Sequence, residues 1–165
     1  MAVLRWLLAV LLVIGTAACS SLIDGPRPPT ADASRPLTAE QIVAVLAAKV
    51  PTASPSVAYT ALTDPNQLLG TPDSYTSKAT FTDSRIDPAQ ANDTELGSIE
   101  LGGSVEVFVD DADARARKDY LDETFSQLPI EVSEQSYLRG PVLLRISRRL
   151  SATEAAEYEA ALGST

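Results

Sequence analysis

The chain has 165 residues, with 22 Asp and Glu against 13 Lys and Arg, no histidine and a single cysteine, Cys19. A formal charge of −9, with no basic stripe interleaved with aromatics, repels nucleic acid and anionic headgroups, so nucleic-acid binding is excluded. Without histidine, Ser-His-Asp and Cys-His catalysis and His-based metal sites fall away.

The chain opens MAVLRWLLAVLLVIGTAAC, in which Arg5 is the only charge before Asp24. A positive start, a short apolar run from Trp6 to Ile14 and small residues from Gly15 to Ala18 have the form of a secretory signal. The apolar run is shorter than the roughly 20 residues of a membrane span. An uncleaved anchor helix extended through Ala17 and Ala18 is the alternative. Thr16-Ala17-Ala18-Cys19 resembles a bacterial lipobox, with Thr16 in the place usually held by Leu. That resemblance implies cleavage before Cys19 and a lipidated N-terminal cysteine. Two or more acyl chains give stable attachment where one does not. The expected partner is therefore the membrane, reached through the lipid, on the extracytoplasmic face of the cell. No other cysteine remains to form an internal disulfide. Residues 1–18 are read as signal peptide, 19–37 as lipidated Cys and Pro-rich tether, and 38–165 as one α+β domain. From Ser20 to Pro36 the tether, extended, reaches about 50 Å.

Thr38-x-x-Gln41 is a capping-box pattern, followed by Ile42, Val45, Leu46 and Val50 at helical spacing, with Pro51 as the stop. Weak alternation from Val57 to Leu62 predicts a strand, and Asp64 to Asp73 is turn-rich. Thr76 to Thr82 predicts a second strand, with Ala79 and Phe81 inward and Lys78, Thr80 and Thr82 on a solvated face. Residues 85–98 read as a loop. Gly102-Gly103 reads as a turn leading into a strand through Val105, Val107 and Val109, with Glu106 between them. Asp110 or Asp111 caps a helix to about Gln127. Its inner stripe is Ala114, Leu121, Phe125 and Leu128, and Pro129 ends it. Two strands follow, Ser136–Leu138 and Val142–Ile146, around a tight turn at Arg139-Gly140. Ser151-x-x-Glu154 caps a last helix with the stripe Ala155, Tyr158 and Leu162. The order α-β-β-β-α-β-β-α predicts an α+β fold: an antiparallel sheet of four or five strands with helices on one face.

The candidate chemistry is sparse. Asp83, Asp87, Asp93 and Glu95 crowd one hydrophilic loop, which gives a glycosidase no desolvated acid. The acids also lack the order of a calcium loop. Asn92-Asp93-Thr94 fits a glycosylation sequon, a match at odds with a bacterial lipidation signal. Ser74 and Ser77 lie near Lys78 without the Ser-x-x-Lys spacing. No cofactor and no metal site are expected. Gln67 to Lys78 combines turn residues with apolar and aromatic ones, so Asn66, Leu68, Tyr75 and Lys78 form a candidate contact patch for a ligand or partner. The alternative is a loop packed down on the domain.

The stretches Gln67–Lys78 (QLLGTPDSYTSK), Gly102–Phe108 (GGSVEVF) and Leu143–Ser147 (LLRIS) resemble those shared by a group of small actinobacterial lipoproteins. The group has no assigned activity, so the resemblance implies secretion and an intact fold and adds no mechanism. The expectation is a lipid-anchored extracytoplasmic domain that binds a small ligand or envelope protein, or organises the envelope, without catalysis. A small hydrolase using Lys78 or the loop acids, and an inhibitor or chaperone of another secreted protein, are the alternatives.

Overall fold

The computed structural model describes residues 36–91, 94–128 and 134–165, and Pro36 to Thr165 form one compact unit. The signal segment, Cys19, the tether through residue 35, Asn92-Asp93 of the sequon and Pro129 lie outside the described residues. The elements are α1 (Ala39–Lys49), β1 (Ala53–Ala58), β2 (Ser77–Asp83), β3 (Gly102–Val107), α2 (Asp111–Ser126), β4 (Glu134–Arg139), β5 (Val142–Ser147) and α3 (Ala152–Leu162). The strands form one antiparallel sheet in the order β1-β2-β3-β5-β4. The fold is α+β, with five strands and three helices among the described residues.

The helix starts follow from their caps. Thr38 and Ser151 each accept from the amide three residues on, while Gln41 and Glu154 reach back to the cap amide. Asp110 caps α2 by accepting from the amides of Ala112 and Asp113.

One face of the sheet is apolar. Ala79 and Phe81 of β2, Val105 and Val107 of β3, and Leu144 and Ile146 of β5 point together at period two. They meet Ile42, Val43 and Leu46 of α1 and Ala155, Tyr158 and Leu162 of α3. Each fully buried side chain of this size contributes about 1.5–3 kcal/mol. Phe81 and Tyr158 stack, with ring centroids 4.9 Å apart.

Several expectations are corrected here. Helices on one face holds for α1 and α3 only. The stripe of α2, through Ala114 and Leu121, packs with Tyr75, Phe108 and Leu143 as a second core on the opposite face. Gly102-Gly103 is not a turn: both residues lie in β3, opposite Thr82 and Phe81. A Cβ on Gly103 would fall 2.5 Å from Phe81 Cζ, so the glycine lets the ring lie against the strand. β3 ends at Val107, because Asp110 begins the α2 cap, and Val109 is 75% exposed. Leu128, beyond α2, is exposed as well. β1 starts four residues before the predicted strand. It is an edge strand whose pairing shifts between Pro55 and Ala58. Among the described residues, two 3-10 turns, Pro88–Gln90 and Ile99–Leu101, interrupt the segment between β2 and β3.

Candidate functional site

The second face of the sheet is polar at its centre, and here the expectation of a solvated face at Lys78 and Thr80 fails. Pairing sets Lys78 opposite Glu106, and Thr80 opposite Ser104, which in turn lies opposite Arg145. All five side chains are buried, with Lys78 and Arg145 each only 6% exposed. A buried charge is tolerated when it is paired and hydrogen-bonded, and every ion in this row is.

Arg145 donates from Nη1 to Glu106 Oε1 at 2.7 Å. It grips Glu134 with Nε and Nη2, at 2.7 and 2.5 Å. This fork is the bidentate geometry that guanidinium and carboxylate share. Arg117, reaching from α2, donates to the other oxygen of Glu106 at 3.3 Å. Burial pushes the Arg145 guanidinium toward lower affinity for its proton, but Glu134 and Glu106 more than offset it and hold it above its ordinary value.

At the other end of the row, Lys78 Nζ donates to Asp64 Oδ1 at 2.9 Å. Asp64 also accepts from Tyr75 Oη at 2.6 Å, and from the amides of Leu68 and Leu69 at 3.0 and 3.1 Å. Burial favours the protonated acid. The hydrogen bonds from Tyr75, Lys78 and Leu68 outweigh it and hold the carboxyl well below the usual carboxylate range. The turn-rich segment from Asp64 to Asp73 is thus wound around one buried carboxylate. The Lys78 ammonium lies 4.9 Å from the Tyr59 ring centroid and 5.4 Å from that of Tyr75.

Two loops rise from this face. Tyr59, Pro65 and Asn66 form one rim, and Gly97, Ser98, Ile99 and Glu100 the other. Tyr59 Oη donates to the Gly97 carbonyl at 3.1 Å and joins them. Gly97 has φ +93°, a backbone conformation that favours glycine, and a Cβ there would stand 2.2 Å from Tyr59 Oη and push the clasp aside. Between the rims lies a cavity of about 300 Å³ whose floor is Lys78, Thr80, Arg145 and Ser147, with Glu134, Arg148 and Arg149 completing the wall. Its size falls at the lower end of small-molecule sites, about 300–1,000 Å³. Ser147 Oγ donates to the Glu100 carbonyl and accepts from the Arg149 amide. Arg149 donates to Glu100 Oε2 at 2.6 Å and to the Gln90 carbonyl. Ser104 Oγ, between Thr80 and Arg145, is buried with no hydrogen-bond partner. Such an unmet group costs about 1–3 kcal/mol.

The four residues of the predicted patch do not form one surface. Asn66 and Lys78 line the cavity. Tyr75 is fully buried beneath it, and Asn66 Nδ2 donates to its hydroxyl at 3.2 Å. Leu68 packs against the second core, away from the cavity. Sequence reasoning missed Asp64, Tyr59, Glu106, Glu134, Arg145 and Arg149. A signal was present: Glu106 and Arg145 are opposite charges, the one set between Val105 and Val107 and the other between Leu144 and Ile146.

The loop acids also separate. Asp83 is not in a hydrophilic loop; it ends β2, buried on the apolar face. It accepts from Tyr158 Oη at 2.5 Å and from Arg85 Nη2 at 2.7 Å. Burial raises its carboxyl, but Arg85 and Tyr158 prevail and hold it below the usual range. Asp87 caps the Pro88–Gln90 turn. Among the described residues, no three His, Cys, Asp or Glu side chains are grouped to hold a metal ion, and no helix is long and apolar enough to cross a membrane. Comparisons with protein-family models, with curated proteins and with solved structures find no match for this chain.

Proposed function

We propose that the protein is a lipid-anchored, extracytoplasmic binding domain that holds a small ligand without transforming it. The location rests on the signal-like leader and the lipobox-like Thr16–Cys19. The observation that carries the binding reading is the cavity over the polar face, built from two loops clasped by Tyr59 and Gly97. What supports binding without catalysis is how the cavity's polar groups are spent. Lys78 is bonded to Asp64, and Ser147 Oγ donates to a backbone carbonyl, so neither is poised as nucleophile or base for the other.

Mass spectrometry of the full chain, purified from the membranes of its own host, tests both halves. Denatured, it should begin at a Cys19 carrying acyl chains. Under non-denaturing conditions it should release a small molecule, one that Asn66→Trp on the exposed rim no longer retains while folding normally. A bare Cys19 thiol or a retained leader overturns the location. Two results overturn the binding reading: the same molecule retained by Asn66→Trp, or substrate turnover abolished by Lys78→Ala.

A further inference from the structure

The cavity's lining departs from the charge balance of the chain. Beyond Arg35 the sequence has 20 Asp and Glu and 10 Lys and Arg. Four of those cations, Lys78, Arg145, Arg148 and Arg149, line the cavity with the carboxylates Glu100 and Glu134, while Asp64 and Glu106 meet Lys78 and Arg145 from beneath. A recess whose charges are balanced, set in a surface that is acidic elsewhere, is where an anion meets the least repulsion.

The donors are also positioned for it. Arg145 and Ser147 lie at the end of β5, Arg149 stands in the turn just beyond it, and the Arg149 amide is tied to Ser147 Oγ. Arg145 spends three of its five N–H groups on Glu106 and Glu134. Lys78 spends one of three on Asp64. Arg149 is paired with Glu100, whose side chain is 56% exposed. An ion pair so open to water contributes little, so an incoming oxyanion can take the guanidinium in exchange. Tyr59, Pro65 and Ile99 give the rims an apolar wall.

We propose, building on the binding reading above, that this cavity takes a small organic anion. Its carboxylate or phosphate head is held by Arg145 and Arg149, and its apolar body lies against Tyr59, Pro65 and Ile99. Exchange of Glu100 for the ligand's own oxyanion makes that residue a competitor within the site, so affinity rises when its charge is removed.

Titration calorimetry of the intact folded chain with benzoate, phenyl phosphate, benzyl alcohol and benzylamine tests this. At least one of the two anions should bind saturably and about tenfold more tightly than the alcohol or the amine. That binding should weaken in about 0.5 M salt, where the screening length shrinks to a few ångströms. The tighter of the two identifies the head as carboxylate or phosphate. Arg149→Gln should weaken the anion about tenfold with an unchanged melting curve, and Glu100→Gln should strengthen it about threefold. Alcohol or amine binding as tightly as the anions overturns the anion assignment and leaves the binding reading standing. So does an anion affinity indifferent to both substitutions. Failure of all four probes at about 10 mM, the reach of a weak fragment, also overturns the anion assignment; the binding reading is then judged by the molecule released from the native protein.

Discussion

The two faces of the sheet solve the same problem in opposite ways. Under α1 and α3 the strands present Phe81, Val105, Val107, Leu144 and Ile146, and stability there comes from apolar area withdrawn from water. On the other face, the same three strands present Lys78, Glu106 and Arg145, nearly as deeply buried. That face is held by geometry: each ion is placed within hydrogen-bond distance of its counter-ion by the strand register and by loops wound to meet it. An apolar face tolerates exchange among side chains of similar volume. An ionic face does not, because removing one partner strands the other. It is therefore a poor source of net stability and a good place to build a site, since its charges already face inward in fixed positions.

The largest expected effect lies on the apolar face. Val107→Asp places an unpaired charge where nothing can answer it, and the domain should lose its cooperative thermal transition altogether. A retained transition would mean that β3 presents its other side to the core. On the ionic face, Glu106→Ala should cost about 3–5 kcal/mol in denaturant melts, since Arg145 and Arg117 both lose a partner. Combining Glu106→Ala with Arg145→Ala should cost clearly less than the sum of the two single changes, because each alone strands the other ion, which sharpens the contrast. If the two costs simply add, the ions are not coupled.

Asp64→Asn should cost about 2–3 kcal/mol, the scale of hydrogen bonds to a charged group. It should also change the acid limb of the stability profile. The Asp64 and Asp83 carboxyls are both held below their ordinary values in the folded protein. Their stabilisation is fully present above the unfolded carboxylate value of about 3.9 and drains away as pH falls below it toward the folded values. Melting midpoints measured from pH 6 down to pH 2 should therefore fall less steeply in Asp64→Asn than in the parent. The smallest effect is Ser151→Ala, about 1 kcal/mol through the lost α3 cap. No change in midpoint would mean that Glu154 alone caps the helix.

This contrast also explains what the sequence disclosed. Apolar periodicity is local, so the alternation of Val105 and Val107, the stripe of α3 and both capping boxes could be read directly, and with them the order of the eight elements. The position of β1 could not, because Ala53–Ala58 is a strand by virtue of its register with β2, and tertiary pairing overrides a weak local pattern. The polar face is hidden from local pattern for a related reason. Lys78 and Thr80 look like solvent residues until Asp64, fourteen positions earlier, is known to fold over them. The cavity depends on contacts of still longer range: Tyr59 to Gly97, Arg149 to Gln90 and Glu100, and Glu106 to Arg145. Those separations carry no periodic signal. The face assigned to α2 failed likewise, since Leu143 and Leu144 are adjacent apolar residues and only the register tells which face each serves.

One detail of β1 bears on how the protein behaves in a crowd. The Ala53 amide turns away from β2 and donates to the Val50 carbonyl. By strand alternation the amide position two residues on also faces outward, and that residue is Pro55, which has no hydrogen to offer. Just beyond it the ladder slips out of step before Ala58. A neighbouring chain trying to lengthen the sheet along this margin meets a missing donor followed by a twist, the safeguards by which natural sheets discourage fibrous growth.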